Sequence, residues 1–489
     1  MSENLYSLLA DGFSRARDAA CMELGDGTTH SYADLDAETA RYANLLVSLG
    51  LKPGDRVLAQ VEKSPQAVFL YLGCLRAGMV YLPLNTAYQA GEVAHFIADA
   101  APRVAFCRPE VRDWYSGVPH RLELGVATAA AQPSRFTTVS RAGEDLACLI
   151  YTSGTTGRPK GAMVTHRNLT SNATALHAAW RFKSGDVLLH ALPLFHVHGL
   201  FVALHTALLN ASRMIFLPRF DADEVMRLLP RATVFMGVPT YYVRLLGEPG
   251  FTKATCAKAR LFVSGSAPLA RDTFDDFRAR TGHAILERYG MTETGMNTSN
   301  PYEGERCAGT VGMPLPGVEV RVVDDADQPV ATGGTGHIQV RGPNVMPGYW
   351  KLPEKNKEEF TADGFFRTGD IGAYDAQGYL SIVGRAKDMV ISGGYNVYPK
   401  EIELLLDEMP GVRESAVFGV PHADFGEAVF AAIVLTPGAS LTERAVIEHV
   451  KSKLANFKVP KRVVFLPELP RNAMGKVLKA DLRAKYGAG

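Results

Sequence analysis

Residues 151–161 read YTSGTTGRPKG and combine glycines, hydroxyl side chains and a lysine in the pattern of an anion-binding loop. Glycines let backbone N–H groups approach an anion closely, while hydroxyls add donors and a lysine adds charge. A Walker A loop is excluded, because Pro159 separates Gly157 from Lys160 and Gly161 stands where that motif needs serine or threonine. Composition alone leaves open a surface loop rich in turn-forming residues. The candidate phosphate ligands are Thr152, Ser153, Gly154, Thr155, Thr156, Gly157 and Lys160.

The elements that must hold this loop have the pattern of an α/β fold. LACLIY (146–151) is an apolar run that leads directly into the loop and predicts a buried strand. Three later runs predict strands that end in proline, glycine or serine, at 212–218, 233–239 and 260–266. The first 120 residues alternate helix and strand patterns, and Ser31 with Asp34 predicts a helix N-terminus. This alternation predicts layered α/β units, whose ligands bind at the carboxyl ends of strands.

The sequence changes in character near residue 318, which indicates a second part of the chain. The segments VEVRVVD, GHIQVRG and GYLSIVG predict strands of a β subdomain. Beyond Pro399, which marks a helix start, further strand and helix patterns complete a small α+β unit. We therefore predict a large N-terminal α/β domain with a β subdomain over 1–386, and a small C-terminal α+β domain over 387–489.

The composition of the 489-residue chain is typical of a globular protein. Apolar residues make up 47%, the formal net charge is +1, and no basic or acidic tail is evident, which argues against nucleic-acid and membrane-surface binding. Six cysteines without CxxC spacing argue against a zinc site and a disulfide scaffold. The longest apolar stretch, 192–211, contains three histidines and predicts a buried helix rather than a membrane span. With no leader pattern at the N-terminus, we expect a cytoplasmic protein.

Six more short motifs follow the loop in order, and together they carry a family resemblance. They are YGMTE (289–293), GYW (348–350), FFRTGD (365–370), GRAKDM (384–389), GGYNVYP (393–399) and PRNAMGK (470–476). With YTSGTTGRPKG they resemble the adenylate-forming superfamily, which includes acyl-CoA synthetases, luciferases and peptide-synthetase adenylation domains, over nearly the whole chain. The resemblance implies that a carboxylate attacks the α-phosphate of ATP and that a thiol then displaces AMP. It implies ATP, Mg²⁺ and coenzyme A as cofactors.

The resemblance also implies roles for single residues. The loop from Thr152 to Lys160 would hold the β- and γ-phosphates of ATP, Thr292 would meet the α-phosphate, and Glu293 would hold Mg²⁺, unless it only caps a helix start. Asp370 would accept the ribose hydroxyls and Arg385 would touch the same ribose, although outside their motifs either could be a surface ion pair. The remaining nucleotide-binding residues would be Tyr289, Gly290 and Met291 of YGMTE.

Two lysines in the C-terminal part of the chain match positions that the family uses in domain movement. Lys476 resembles the lysine that enters the site only for adenylation, although Asn472 stands where threonine is common. Lys387 matches the hinge position, unless it is an exposed lysine in a turn. Rotation there would withdraw Lys476 and bring Gly393 and Gly394 to the site for coenzyme A. The resemblance thus makes the C-terminal domain mobile.

The choice of acid depends on two arginines. A dicarboxylic acid brings a second carboxylate, whose unpaired burial would cost several kcal/mol, and an arginine can pair it bidentately. Arg288, directly before YGMTE, and Arg244, on a predicted helix, are the candidates. Arg288 has an alternative interpretation as a structural ion pair with Glu287.

Three further residues are candidates for the same pocket. Ser264 and Met296 would shape it, and His196 matches a histidine near the acyl pocket of the family. The His-x-His pair at 196–198 has a metal-binding alternative, but no third ligand is evident. ERYGMTETGMN together with PLFHVHGLFVALH resembles the malonyl-CoA synthetase branch, and a small pocket would suit malonate or methylmalonate.

Four functions therefore compete. The first is ATP-dependent ligation of malonate to coenzyme A, and the second is activation of another short acid. The third is a carrier-loading adenylation enzyme, which a chain with no carrier segment after Gly489 disfavours. The fourth is a non-catalytic binding module, against which Lys476, Glu293 and Asp370 argue. We expect small-molecule substrates only, and the sequence leaves the oligomeric state open.

Overall fold

The structure is a computed structural model, which describes residues 2–152, 159–392, 395–422, 426–454, 456–471 and 476–487. The chain forms two compact units. The first comprises residues up to 269 together with 273–320 and 340–366, and the second comprises 270–272, 321–339 and the chain from 367 onward. The domain boundary and hinge near Lys387 stay a prediction.

The described residues form strands throughout the chain. In chain order they are β1 (Ala20–Leu24), β2 (Thr29–Ser31), β3 (Arg56–Gln60), β4 (Val80–Pro83), β5 (Val104–Cys107), β6 (His120–Leu122), β7 (Leu146–Thr152), β8 (Lys160–Thr165), β9 (Val187–His190), β10 (Arg213–Phe216), β11 (Val234–Gly237), β12 (Leu261–Ser264), β13 (Leu286–Met291), β14 (Gly295–Ser299), β15 (Met313–Pro314), β16 (Glu319–Val323), β17 (Thr335–Arg341), β18 (Phe366–Tyr374), β19 (Leu380–Arg385), β20 (Val390–Ser392), β21 (Tyr395–Val397), β22 (Val412–His422), β23 (Gly426–Leu435) and β24 (Arg462–Phe465).

Helices connect most of these strands. In chain order the α-helices are α1 (Leu5–Arg15), α2 (Tyr32–Ser48), α3 (Pro65–Arg76), α4 (Ala90–Ala100), α5 (His166–Ala179), α6 (Leu204–Leu209), α7 (Ala222–Leu228), α8 (Pro239–Gly247), α9 (Arg271–Thr281), α10 (Pro353–Glu359), α11 (Pro399–Asp407), α12 (Glu443–Lys453) and α13 (Lys479–Tyr486). Short 3₁₀ turns lie at Pro109–Tyr115, Leu229–Arg231, Ala386–Asp388 and Asn456–Lys458, and a π-helix spans His198–Ala203. No helix among the described residues is long and apolar enough to cross a membrane.

The first unit contains two sheets. Within the described residues, one sheet has the strand order β6-β5-β3-β4-β7-β8 and the other has the order β15-β14-β13-β12-β11-β9-β10-β1-β2. In this second sheet, neighbouring strands pair in parallel in the order β1, β10, β9, β11, β12, β13. The next pair, β13 with β14, is antiparallel. The parallel strands are buried because helices cover both faces of such sheets. Their carboxyl ends therefore share one edge, as expected for an α/β ligand site.

Local signals in the sequence account for several element ends. Ser31 and Asp34 form the predicted reciprocal cap of α2, with the amide of Ser31 donating to Asp34 at 2.8 Å. Ser64 caps α3, and Pro65 occupies its first turn, where a missing N–H costs nothing. The predicted strand runs correspond to β7, β10, β11 and β12. The stretch 192–211 becomes helical only from His198, first as a π-helix and then as α6.

The second unit has its own core. Strands β20 to β24 form one sheet of the described residues, in which β22 and β23 make a long antiparallel pair. Strands β16 to β19 form a four-stranded sheet that lies mostly in this unit. Side chains of α11, α12 and the β22–β23 pair pack into a buried cluster that includes Ile402, Val417 and Val450. The predicted α/β class, with a small α+β C-terminal part, is confirmed.

Candidate active site

The two strands that flank the glycine-rich loop are paired. Thr152, the last residue of β7, lies opposite Lys160, the first residue of β8, and the Thr152 Oγ1 is 3.5 Å from the Lys160 carbonyl oxygen. The structure thus holds both ends of the loop side by side, as a hairpin does. The predicted phosphate ligands between them lie outside the described residues: Ser153, Gly154, Thr155, Thr156 and Gly157.

A chain of contacts links Lys160 to Glu293. The Nζ of Lys160 lies 4.2 Å from the ring centroid of Tyr349 and 3.7 Å from an Oε1 of Glu359. The hydroxyl of Tyr349 donates to the Oε1 of Glu293 at 2.9 Å. The amide of Met346 donates to the Glu293 carbonyl oxygen at 2.8 Å. Cation, ring and carboxylate are therefore held at fixed separations, because each contacts the next.

Thr292 and Glu293 occupy the tight turn between β13 and β14. The turn is held by the side-chain amide of Asn344, which donates to the Thr294 carbonyl oxygen at 2.7 Å. Glu293 is 7% exposed, and both Thr292 and Glu293 border a cavity of about 20 Å³. A buried carboxylate at a rigid turn can hold a hard cation, because its position is set before the cation binds.

Met296 packs against the strand that ends in YGMTE. In the β13–β14 pair, Met296 lies opposite Gly290, where a Cβ would come within 2.5 Å of the methionine Cε. The amide of Asn172 donates to the Met296 carbonyl oxygen at 2.9 Å, and its oxygen accepts from the Met296 amide at 3.1 Å. Met296 is therefore fixed next to the predicted nucleotide-binding residues Tyr289, Gly290 and Met291.

Arg288 carries a buried guanidinium, and two of its three nitrogens have no hydrogen-bond partner among the described residues. The residue is 3% exposed, and the two nitrogens are Nε and Nη2. The guanidinium lies directly against the backbone of Gly265, since a Cβ there would be 2.3 Å from its Cζ. Burial lowers the pKa of Arg288 to about 9, and the nearby Tyr242 and Glu287 only partly offset this.

Other buried polar atoms near Arg288 also have no partner within the described part of the chain. They are the Oγ of Ser264, at the carboxyl end of β12, and the Nε2 of His198. The hydroxyl of Ser266 lies 3.3 Å from the other ring nitrogen of His198, and Ser266 has a φ of 71°, which is rare outside glycine. An unsatisfied buried polar group costs about 1–3 kcal/mol, so this cluster is complementary to a polar ligand.

His196 and His198 are both held neutral. Burial, reinforced by the positive charge of Arg288, lowers the pKa of His196 to about 4 and moves the pKa of His198 well below its usual value. The backbone amide of His198 donates to the Nδ1 of His196 at 3.3 Å. Each ring can therefore donate or accept hydrogen bonds without adding a second cation beside Arg288.

The two predicted carboxylate-binding arginines differ in their surroundings. Arg288 belongs to the buried cluster, whereas Arg244 is exposed on α8. Two residues before Arg244, Tyr242 points into the core and donates to the Val263 carbonyl oxygen at 2.6 Å. The helix therefore directs Tyr242 toward the sheet and leaves Arg244 in solvent.

The second unit brings together its own predicted site residues. Asp370 in β18 and Arg385 in β19 lie opposite each other, and an Oδ1 of Asp370 is 2.5 Å from the Nε of Arg385. Lys387 follows in the 3₁₀ turn, and Lys387 and Lys476 are both exposed. Partial desolvation of these accessible side chains lowers the pKa of each lysine. The positive charge of Lys476 lowers the pKa of Lys387 further, and that of Arg385 lowers the pKa of Lys476 further. Gly393 and Gly394 lie outside the described residues.

A family model for AMP-binding enzymes matches residues 10–350, and a model for the C-terminal domain of AMP-binding enzymes matches residues 401–476. The chain belongs to the AMP-binding enzyme family. The predicted membership of the adenylate-forming superfamily is thereby confirmed.

Solved structures and curated proteins of this AMP-binding family are similar over nearly the full chain. The ATP-bound crystal structure of MatB from Rhodopseudomonas palustris is 52% identical, with a TM-score of 0.97, and covers 100% of this chain and 99% of that chain. Malonate–CoA ligase of Arabidopsis thaliana is 35% identical over 99% of this chain and 89% of that protein. Feruloyl-CoA synthase of an Amycolatopsis species is 36% identical over 94% of this chain and 95% of that protein.

These curated relatives have nearly equal identity but are named for different acids. Overall similarity to them therefore assigns the AMP-binding family and does not by itself choose the acid. The side chains of the pocket must do that, because specificity resides in the site rather than in the fold.

Sequence reasoning did not find two residues of this AMP-binding enzyme. Gly265 supports the Arg288 guanidinium, and Tyr349 links Lys160 to Glu293. Tyr349 had a signal, since it is the tyrosine of GYW, but the motif alone does not say what the ring contacts. Gly265 directly follows the end of β12, a common place for glycine. Only the packing shows that its missing side chain leaves room for Arg288.

Proposed function

We propose that this AMP-binding enzyme ligates malonate to coenzyme A through a malonyl-adenylate, releasing pyrophosphate and AMP. The observation that carries the proposal is the buried Arg288 guanidinium with unpaired Nε and Nη2. These two donors form one side of the guanidinium fork, which is the side that pairs a carboxylate bidentately. Similarity to the malonate–CoA ligase of Arabidopsis thaliana, which is 35% identical over 99% of this chain, supports the same choice.

A second carboxylate on the acid is what such a pocket requires. A monocarboxylic acid would leave the buried cation of Arg288 unpaired, whereas the distal carboxylate of malonate would compensate it. Ser264 and His198 supply further hydrogen-bonding atoms at the same place. Met296, fixed by Asn172, would bound the pocket. A small dicarboxylate such as malonate or methylmalonate would fit these constraints.

The proposed nucleotide-binding roles follow the family motifs. In the proposed roles, Lys160 and the loop before it bind the β- and γ-phosphates, and Thr292 meets the α-phosphate. Asp370 accepts the ribose hydroxyls, and Arg385 orients Asp370 through their ion pair. Mg²⁺ suits Glu293, because one buried carboxylate plus phosphate oxygens is its usual ligand set, and the ion would neutralise phosphate charge.

Lys476 would supply the charge for adenylation. In this role its ammonium offsets the negative charge that grows on the α-phosphate and the attacking carboxylate. We further propose that the C-terminal domain, 387–489, turns about Lys387 between the two half-reactions, so that Gly393 and Gly394 reach the thiol site. A Lys387→Pro variant would then retain pyrophosphate release and lose thioester formation, and equal loss of both half-reactions would contradict the hinge.

The test is pyrophosphate and AMP release with ATP, Mg²⁺, coenzyme A and a panel of malonate, methylmalonate, succinate, acetate, butyrate and octanoate. Malonate should have the highest kcat/KM, and Arg288→Met should lower it about 100-fold, as for the loss of one partner of a buried charge pair. The KM for ATP should hardly change. Arg244→Met, measured in parallel, shows whether the exposed arginine contributes.

Two other outcomes would change the proposed substrate. A monocarboxylate that outperforms malonate, with no effect of Arg288→Met, would show that Arg288 is structural and that another short acid is the substrate. Turnover with a phosphopantetheine-bearing carrier protein but not with coenzyme A would show a carrier-loading enzyme.

We also infer that the enzyme works in the cytoplasm. The six cysteines, all among the described residues, form no disulfide, which suits a reducing compartment. Similar proteins exist in other compartments, since a bovine malonate–CoA ligase that is 36% identical is named as mitochondrial. Cell fractionation with an antibody against the intact chain tests this point, and recovery in an organelle would contradict it.

A further inference from the structure

A relay of hydrogen bonds runs from Lys63 to Gly199 and has no role in the mechanism described above. Lys63 lies just before α3, and its Nζ is 2.9 Å from the Nδ1 of His190 and 2.8 Å from the His190 carbonyl oxygen. The Nε2 of the same ring is 3.0 Å from the carbonyl oxygen of Gly199. His190 is 1% exposed, so the relay is shielded from solvent at its centre.

These contacts determine the protonation of His190. The carbonyl oxygen of Gly199 can only accept, so this contact favours a hydrogen on the Nε2 of His190. The Nζ of Lys63 donates to the His190 carbonyl oxygen and to Nδ1, which must then be unprotonated. An imidazolium would direct an N–H toward the lysine and lose that bond. Lys63 therefore reinforces the neutral Nε2–H tautomer that the Gly199 contact favours, and the other protonation forms should gain population when Lys63 is removed.

Lys63 is not explained as part of an ion pair. Among the described residues no carboxylate lies within ion-pair distance of its Nζ, which instead lies 4.4 Å from the ring centroid of Phe216. Its side chain also borders a cavity of about 240 Å³ that is lined by Phe195 and Tyr241. A half-buried lysine amine without a counter-ion is costly, which points to a role other than stability.

Gly199, at the other end of the relay, is closely confined. A Cβ there would lie 1.9 Å from the Pro193 carbonyl oxygen, so the chain can pass only without a side chain. Gly199 lies in the first turn of the π-helix. Its carbonyl oxygen accepts from the His190 ring and from the amide of Leu204, five residues further along the chain. Single π-turns are frequent at functional sites because they reposition the side chains beside them.

The residues beside Gly199 belong to the proposed carboxylate pocket. His198 directly precedes Gly199, and its Nε2 is one of the buried atoms without a partner among the described residues. The Leu200 amide donates to the His196 carbonyl oxygen at 2.9 Å, which ties His196 to the same turn. A shift of Gly199 would therefore move both histidines relative to Arg288, and displacements of about 1 Å are enough to impair a site.

We propose that Lys63 is a positioning residue for the carboxylate pocket: it holds His190 as the Nε2–H tautomer, and His190 anchors Gly199 and the turn that carries His196 and His198. Lys63 and His190 touch no substrate in this arrangement. The inference rests on the proposed dicarboxylate pocket. The relay itself can be tested without any substrate.

The first experiment measures the His190 tautomer in the full-length protein by ¹⁵N NMR of histidine-labelled samples, with His190→Asn to assign the resonances. The wild type should show Nε2 protonated and Nδ1 unprotonated. Lys63→Met should give a mixture of tautomers, whereas Lys63→Arg, which keeps a donor, should retain the wild-type pattern. An unchanged pattern in Lys63→Met would overturn the proposal.

The second experiment separates positioning from a general loss of structure. Lys63→Met should raise the KM for malonate about tenfold, with the KM for ATP changed less than about twofold, and Lys63→Arg should restore most of the affinity. Lys183→Met is the matched control, because Lys183 is an exposed lysine just before β9. If Lys63→Met does not fold, Lys63→Gln replaces it, and its amide donor should give an intermediate KM. Equal KM values in all variants would overturn the proposal.

The outcomes also distinguish this inference from the proposed function. If Arg288→Met leaves malonate turnover unchanged, the dicarboxylate assignment fails, and the tautomer measurement still decides whether Lys63 controls His190. If Arg288→Met abolishes malonate use while Lys63→Met has the wild-type tautomer and KM, only the positioning role fails.

Discussion

The proposed carboxylate pocket of the first unit, around Arg288, and the charged cluster of the second unit, around Asp370 and Arg385, hold their cations in opposite ways. In the pocket, Arg288 is buried and its Nε and Nη2 lack partners among the described residues. In the cluster, Arg385 already pairs with Asp370, and Lys387 and Lys476 are exposed.

The difference separates a fixed cation suited to binding a ligand anion, Arg288, from exposed cations that can change position, Lys387 and Lys476. A buried cation is costly without an anion, so in the proposed function the substrate supplies its partner, and packing sets its position beforehand. An exposed cation keeps part of its hydration and can leave one position for another at a smaller cost than a buried one. We therefore expect the first region to select the acid and the second to take part in the conformational cycle.

The largest expected effect is that of Lys476→Met on adenylation. If Lys476 supplies charge only in the transition state, ATP–pyrophosphate exchange with malonate should fall about 100-fold or more. Binding of malonate should be nearly unchanged, because Lys476 would not take part in the pocket. Isothermal titration with malonate provides the control. Exchange within about twofold of the wild type would contradict the assignment of roles to the two regions.

Next in size is the effect of Gly265→Ala on malonate affinity. The added Cβ would come within 2.3 Å of the Arg288 Cζ, so the guanidinium must shift, and the KM for malonate should rise about tenfold. Gly250→Ala is the matched control, since a Cβ at Gly250 would meet nothing within 4 Å. A normal KM in Gly265→Ala would show that the position of Arg288 is not critical.

A smaller effect should follow from alkaline pH. Burial lowers the pKa of Arg288 to about 9, and malonate would bind the protonated guanidinium. The affinity for malonate should therefore be constant below this pKa and fall, by up to about tenfold per unit, as the pH rises through it. Titration calorimetry between pH 7 and 10 measures this, with ATP binding as a reference. A dissociation constant that stays flat to pH 10 would show that Arg288 stays protonated in the free protein or that it does not bind malonate.

The smallest expected effect concerns stability without ligand. Arg288→Met removes a buried cation with unpaired donors, so the free energy of unfolding should increase by about 1–2 kcal/mol. Lys476→Met removes an exposed charge and should change it by less than about 0.5 kcal/mol. Urea denaturation of the ligand-free proteins compares the two. A clear loss of stability in Arg288→Met would mean that the arginine is a structural residue.

Much of the fold and part of the site could be predicted because their signals are local. The apolar runs became β7, β10, β11 and β12, and the Ser31–Asp34 cap begins α2, because strand burial and helix capping depend on a few neighbouring residues. The pairing of Asp370 with Arg385 joins two motifs that the sequence had marked separately. The helix predicted over 192–211 was wrong in its first part, since regular structure begins only at His198.

The amino-acid sequence by itself determined the family, the order of the motifs and the residue types available for the chemistry, because each motif is short and continuous. Only the tertiary structure decided which of these residues are buried together. It placed Arg288 against Gly265 and left Arg244 in solvent, and it joined Lys160 to Glu293 through Tyr349. The physical reason is that burial and hydrogen-bond satisfaction depend on contacts between segments far apart in the chain, which no local pattern specifies.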